Sequence, residues 1–121
     1  MQIAQKNFYK KLLGRAGEVE AGKFLKKEGY KVLEMNFRTR IGEADIIAQK
    51  DGVTVFVEVK TRSDERFGTP AEAVNLKKQE KYFRVATEYL IRNGLQDAPC
   101  RFDVIEIENG KINHIIDAFS M

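Results

Sequence analysis

The chain has 121 residues, 43% hydrophobic and 32% charged, with a formal net charge of +3. That is one domain of ordinary size with enough apolar content for a core, which excludes a disordered tail, a coiled coil and a bare disulfide scaffold. No apolar run approaches the roughly 18 residues of a membrane helix, so no membrane partner is expected.

The charge is unevenly placed: through Arg40 the chain carries ten Lys and Arg against four Asp and Glu, and the rest carries 11 against 14. A basic N-terminal third, with Arg15, Arg38 and Arg40, is the footprint of a phosphate-backbone binder, although scattered lysines also serve solubility. Residues 1 to 17 are basic and free of acid, but the pattern runs straight into a helix and reads as mature protein rather than a transit peptide. The single Cys100 has no partner for an internal disulfide, which suits a reducing cytoplasm.

Helical spacing over about residues 6 to 28 places Leu13, Gly17, Ala21, Phe24 and Leu25 on one stripe, and Gly29 stops it. Glu18 and Glu20 flank that stripe, with small residues beside Glu18. A first strand follows at Tyr30 to Phe37. Ile41 to Ala48 and Val53 to Arg62 then form a hairpin across Asp51-Gly52, a tight-turn signal. Alternation puts Val53, Val55, Val57 and Val59 on one face, and Phe56, Glu58, Lys60 and Arg62 on the other. In the partner strand Glu43, Asp45 and Ile47 share one face; Ala44, Ile46 and Ala48 share the other.

Thr69-Pro70 reads as a helix start, and a second helix is expected from Ala71 to about Asn93, with Ala73, Leu76, Phe83, Ala86 and Leu90 inward and Lys77, Lys78, Lys81 and Arg84 outward. Phe102 to Ile107 alternates as a strand, Asn109-Gly110 turns, and Lys111 to Ala118 returns as an edge strand. The order αβββαββ predicts an α/β fold with a central mixed sheet and a helix on each face, or both on one.

Strand interiors disfavour Asp and Glu, so carboxylates mid-strand in both hairpin arms need an offsetting cation. Asp45, twelve residues, then Glu58-x-Lys60 is a short pattern. It suits phosphodiester hydrolysis: carboxylate oxygens hold Mg²⁺, with Mn²⁺ as a substitute, and a neighbouring lysine handles water or phosphate charge. The rival reading is a nucleic-acid binding or scaffolding protein with a residual, inactive site. Glu43 sits on the Asp45 face as an outer neighbour. Phe56 is expected under a helix, Arg101 and Asp103 as a sheet-edge ion pair, and His114 as a surface or edge-strand residue.

Gly17-Glu18, Gly29-Tyr30, Gly42-Glu43-Ala44-Asp45-Ile46-Ile47, Val55-Phe56-Val57-Glu58-Val59-Lys60-Thr61-Arg62, Phe67-Gly68, Lys78-Gln79 and Arg101-Phe102-Asp103 together resemble the YraN-like family of small bacterial proteins. That family is similar to the PD-(D/E)xK nucleases and to archaeal Holliday-junction resolvases. The resemblance implies a restriction-endonuclease-like three-layer α/β/α fold and a metal-dependent nuclease acting on DNA, branched or damaged DNA included. It implies Glu18, rather than Glu20, with Asp45, Glu58 and Lys60 as the catalytic set, and Glu18, Asp45, Glu58 and the Val59 carbonyl as metal ligands. It also implies Arg62, Lys78 and Gln79 as nucleic-acid contacts, and a homodimer through the resolvase likeness alone.

Overall fold

Five strands form one mixed sheet in the spatial order of the chain. The computed structural model describes residues 2–62 and 75–120, with side chains from Lys11 onward. The elements are α1 (Gln2–Lys27), β1 (Lys31–Arg38), β2 (Glu43–Lys50), β3 (Val53–Arg62), α2 (Leu76–Arg92), β4 (Cys100–Glu108) and β5 (Lys111–Phe119). The sheet order is β1-β2-β3-β4-β5, with β3 and β4 parallel and the other pairs antiparallel. The parallel pair needs a crossover, and α2 supplies it.

The β2–β3 hairpin turns where expected: Asp51 and Gly52 both have positive φ, 52° and 79°, the conformation of a tight primed turn that glycine accepts without strain. Its register pairs Ile46 with Val57 and Ile47 with Phe56. Continued one step, the same register sets Asp45 against Glu58.

Each sheet face has its own helix. Ile46, Ala48, Val55, Val57, Ile105 and Ile107 pack with Ala21 and Leu25 of α1. On the opposite face Ile47, Phe56, Phe102 and Val104 pack with Tyr82, Val85, Ala86 and Tyr89 of α2. Phe56 therefore lies under a helix, as its alternation implied. Among the described residues no helix is long and apolar enough to cross a membrane.

Four packing expectations need correction. α2 begins at Leu76, because Asn75 is extended and its side chain accepts from the Lys78 N–H; Thr69, Pro70 and Ala73 lie outside the described residues. Leu76, in that first turn, is 81% exposed, and the buried stripe is set by Tyr82, Val85, Ala86 and Tyr89, three or four residues apart. Leu13 is exposed: α1 has 26 residues, about 39 Å at 1.5 Å each, against about 33 Å for ten-residue β3. Ala44 packs on the α2 side rather than with Ile46 and Ala48.

At β4 the expected edge pair is an enclosed network. Asp103 is fully buried and takes Arg101 Nε at 2.8 Å, His114 Nε2 at 2.7 Å and the Asp117 N–H at 3.0 Å. Asp117 has φ of 55°, at an irregularity in the β4–β5 register, so the carboxylate ties down that irregularity. His114 does lie on the edge strand, yet its side chain is only 9% exposed, edge-on to Phe24 and Tyr30.

Candidate active site

Three segments deliver acids to one end of the sheet. β2 starts with Glu43 and Asp45, β3 brings Glu58 beside Asp45, and α1 brings Glu18. A Cβ on Gly17 would overlap Thr61 Oγ1, so glycine lets α1 seat on β3 where the next residue must reach the strand ends. Carboxylate oxygens of Glu18, Glu43 and Asp45 lie within 4.8 Å of one another.

Asp45 and Glu58 are held differently although they are neighbours. Asp45 Oδ2 accepts the Val59 N–H at 2.8 Å. Glu58 is 4% exposed; its Oε2 accepts from the Tyr82 hydroxyl at 2.5 Å. Its Oε1 meets Lys78 Nζ at 2.5 Å and Lys60 Nζ at 3.2 Å. The same Tyr82 oxygen accepts the Asp45 N–H at 3.3 Å.

These surroundings drive the titrations apart. Burial, and then the Glu58 charge, push Asp45 up to about 8. Burial also raises Glu18, with the Glu43 charge adding to it and a hydrogen bond from Asn36 opposing. Burial would raise Glu58 too, but Lys78, Tyr82 and Lys60 outweigh it and hold the carboxyl below its usual range. Burial and the neighbouring Lys78 lower Lys60, while the attraction of Glu58 outweighs burial and raises Lys78. Tyr82, buried beside Asp45 and Glu58, is pushed far up and stays a phenol.

Glu43, Asp45 and Glu58 open to solvent through a cavity of about 480 Å³ that Lys77, Lys78 and Lys81 also line. Acids on one side and lysines of α2 on the other suit a cation together with an anionic substrate.

The structure thus brings Glu18, Asp45, Glu58 and Lys60 together, and adds Glu43 as a member of the carboxylate triad rather than an outer neighbour. Both oxygens of Glu58, expected as a metal ligand, are engaged by Tyr82 and the two lysines. Val59 meets Asp45 through its N–H. Lys78 turns inward onto Glu58 instead of outward. Arg15 is exposed one turn before Glu18, Arg38 binds Glu43 at 2.8 Å, and Arg40 lines a separate groove. Arg62 at the end of β3 and Gln79 in the first turn of α2 are half-buried. Tyr82 was missed by sequence reasoning; the available signal was a phenol hydroxyl on the buried stripe of α2, which Tyr89 also carries.

The model of an uncharacterised protein family, UPF0102, matches residues 17–107. The chain belongs to this family, the YraN-like proteins. The UPF0102 protein STH1475 of Symbiobacterium thermophilum is 53% identical over 98 residues, covering 81% of this chain and 83% of that protein. UPF0102 proteins of Alkaliphilus metalliredigens and Alkaliphilus oremlandii are 48% and 51% identical over 112 and 115 residues, each covering 90% of this chain and 98% of the relative. Among solved structures, the crystal structure of SSO0001 aligns with 96% of this chain and 55% of that one, at 19% identity and a TM-score of 0.49.

Proposed function

We propose that this UPF0102 protein is a metal-dependent phosphodiesterase that cleaves DNA, branched or damaged DNA being the substrates to try first, on a restriction-endonuclease-like three-layer fold. The observation that carries the reading is the convergence of Glu18, Glu43 and Asp45 within 4.8 Å, beside a Glu58 that holds two lysines. Burial first, then the charges of Glu58 and Glu18, raise Asp45 to about 8, and a cation among the carboxylates would relieve that repulsion. An all-oxygen donor set fits a hard divalent ion, Mg²⁺ or Mn²⁺.

Glu18, Glu43 and Asp45 would hold the ion, with Glu58 alongside. When bound, it would polarise a phosphoryl oxygen and acidify water. The protein's own part is charge and position. Lys60, held against Glu58 with its ammonium form weakened, can take or return a proton at Nζ or face a phosphate oxygen. Lys78 keeps its charge and fixes the Glu58 carboxylate. Lys77 and Lys81 give the far wall of the cavity a positive sign that suits the phosphodiester backbone.

A second reading, nucleic-acid binding without cleavage, draws on the same Glu58 contacts, because a carboxylate engaged by a phenol and two ammonium groups is neutralised without a metal. Nicking of single-stranded, duplex, flap and four-way DNA in Mg²⁺ or Mn²⁺ separates the two, with Asp45→Ala and Glu58→Ala as controls. Cleavage lost in both variants supports the enzyme; wild type and variants alike in every assay overturns it. A cytoplasmic location and a homodimer belong to the same proposal, the first supported by the unpaired Cys100 and the second testable by solution mass.

A further inference from the structure

Next to the acidic cavity lies a second concavity, of about 710 Å³, walled by Arg40, Ile41, Arg84, Ile91 and Arg92, with Thr87 and Glu88 between them. Ile41 lines both spaces, so the two separate spaces adjoin at the β1–β2 turn. Lys77, Lys81, Arg84, Glu88 and Ile91 recur every three or four residues along α2, one unbroken stripe from the first cavity into the second. Arg84 to Ile91 spans about 10 Å of helix.

The groove's chemistry is mixed in a particular way. Glu88, the one acid among its described lining residues, is paired with Arg92 at 2.5 Å, and Arg92 in turn covers the Phe37 ring at 5.6 Å. Among the described residues no acid pairs with Arg40 or Arg84, and both are exposed. Ile91 is 60% exposed although it lies in a concavity with the half-buried Ile41. A single exposed isoleucine is ordinary. The exposed Ile91 and half-buried Ile41, sharing a groove with two guanidinium groups that pair with no acid among the described residues, match a ligand that is anionic along one edge and apolar on another.

We propose that this groove holds an unpaired segment of the DNA strand that enters the candidate active site, phosphates on Arg40 and Arg84 and a base against Ile41 and Ile91. The inference rests on the nucleic-acid reading given above. A regular duplex presents phosphate and sugar outward and keeps its bases stacked, so it would use the arginines and leave the isoleucines in water. An unpaired strand uses both, because its bases have free apolar faces.

The test is fluorescence anisotropy of the full chain in EDTA, with a labelled oligo(dT) of about fifteen nucleotides and a blunt duplex of the same length. Arg40→Gln with Arg84→Gln should weaken oligo(dT) binding at least roughly tenfold and lower its log–log salt slope by about 1.4, at about 0.7 per phosphate contact on a single strand. Ile91→Ser should weaken oligo(dT) about threefold with the slope unchanged, and leave the duplex unaffected. Equal losses for duplex and single strand in Ile91→Ser, or oligo(dT) binding that neither variant changes, overturn the groove. These positions are on the surface, and unchanged melting of each variant confirms that it is folded. Because EDTA removes any cleavage, the groove effects stand even if no nuclease activity is found; conversely, metal-dependent cleavage untouched by the groove variants rejects the groove and leaves the nuclease.

Discussion

Replacing Tyr82 by Phe tests how the Glu58 carboxylate is kept ionised inside the protein. The hydroxyl is buried, donates to Glu58 Oε2 at 2.5 Å and accepts the Asp45 N–H at 3.3 Å. The ring is 2% exposed and phenylalanine keeps its packing, so the change isolates the oxygen. A hydrogen bond to a charged acceptor contributes about 1.5–3 kcal/mol, and an N–H left without its acceptor adds to the loss. Tyr82→Phe should therefore destabilise by about 2–3 kcal/mol. At roughly 4 °C per kcal/mol for a chain of this size, the melting temperature should fall by about 8–12 °C. The assay is thermal unfolding by circular dichroism in EDTA near pH 7.5, alongside Glu58→Gln and the double variant. The coupling between the two positions should exceed about 1 kcal/mol, since they share one contact. Melting of Tyr82→Phe within a degree of wild type, or additive losses in the cycle, would refute the claim that the phenol holds Glu58.

Gly17→Ala makes Thr61 rotate or α1 lift off β3, so Mn²⁺ affinity measured by calorimetry should drop several-fold, and adding Thr61→Ala should restore part of it. Asp45→Asn removes a carboxyl whose ionisation burial and the Glu58 charge oppose; it should raise the melting temperature in EDTA and abolish the further rise that Mn²⁺ gives the wild type. Asp103 has its folded pKa depressed because His114, Arg101 and the Asp117 N–H outweigh burial. Its stabilisation is therefore complete above the unfolded value near 3.9 and is lost as pH falls through the folded value. Asp103→Asn should be less stable than wild type by about 3–5 kcal/mol at pH 7, with the gap closing in acid; denaturant melts at pH 7 and about pH 3 that keep the same gap would reject the assignment.

Residues close in sequence carried most of what was legible in advance. Alternation in β3 identified its apolar valine face and placed Glu58 with Lys60, since a strand has period two whatever packs on it. The Asp51-Gly52 turn fixed the hairpin, and with it the pairing that sets Asp45 beside Glu58, because a tight turn leaves little freedom of register. The family resemblance chose Glu18 over Glu20, a choice helical spacing alone left open.

Other features depend on which surfaces meet. The hydroxyl of Tyr82 and the ammonium of Lys78 find Glu58 only because α2 crosses the sheet end, and nothing local in a helix says which acid lies beneath it. Glu43 joins the carboxylate triad, and Asp103 becomes enclosed by Arg101 and His114, for the same reason: burial and charge pairing are set by distant segments brought together. Patterning within the chain determined the strands and their faces. Tertiary packing decided which charged groups on those faces touch, and therefore which remain available to a metal or a phosphate.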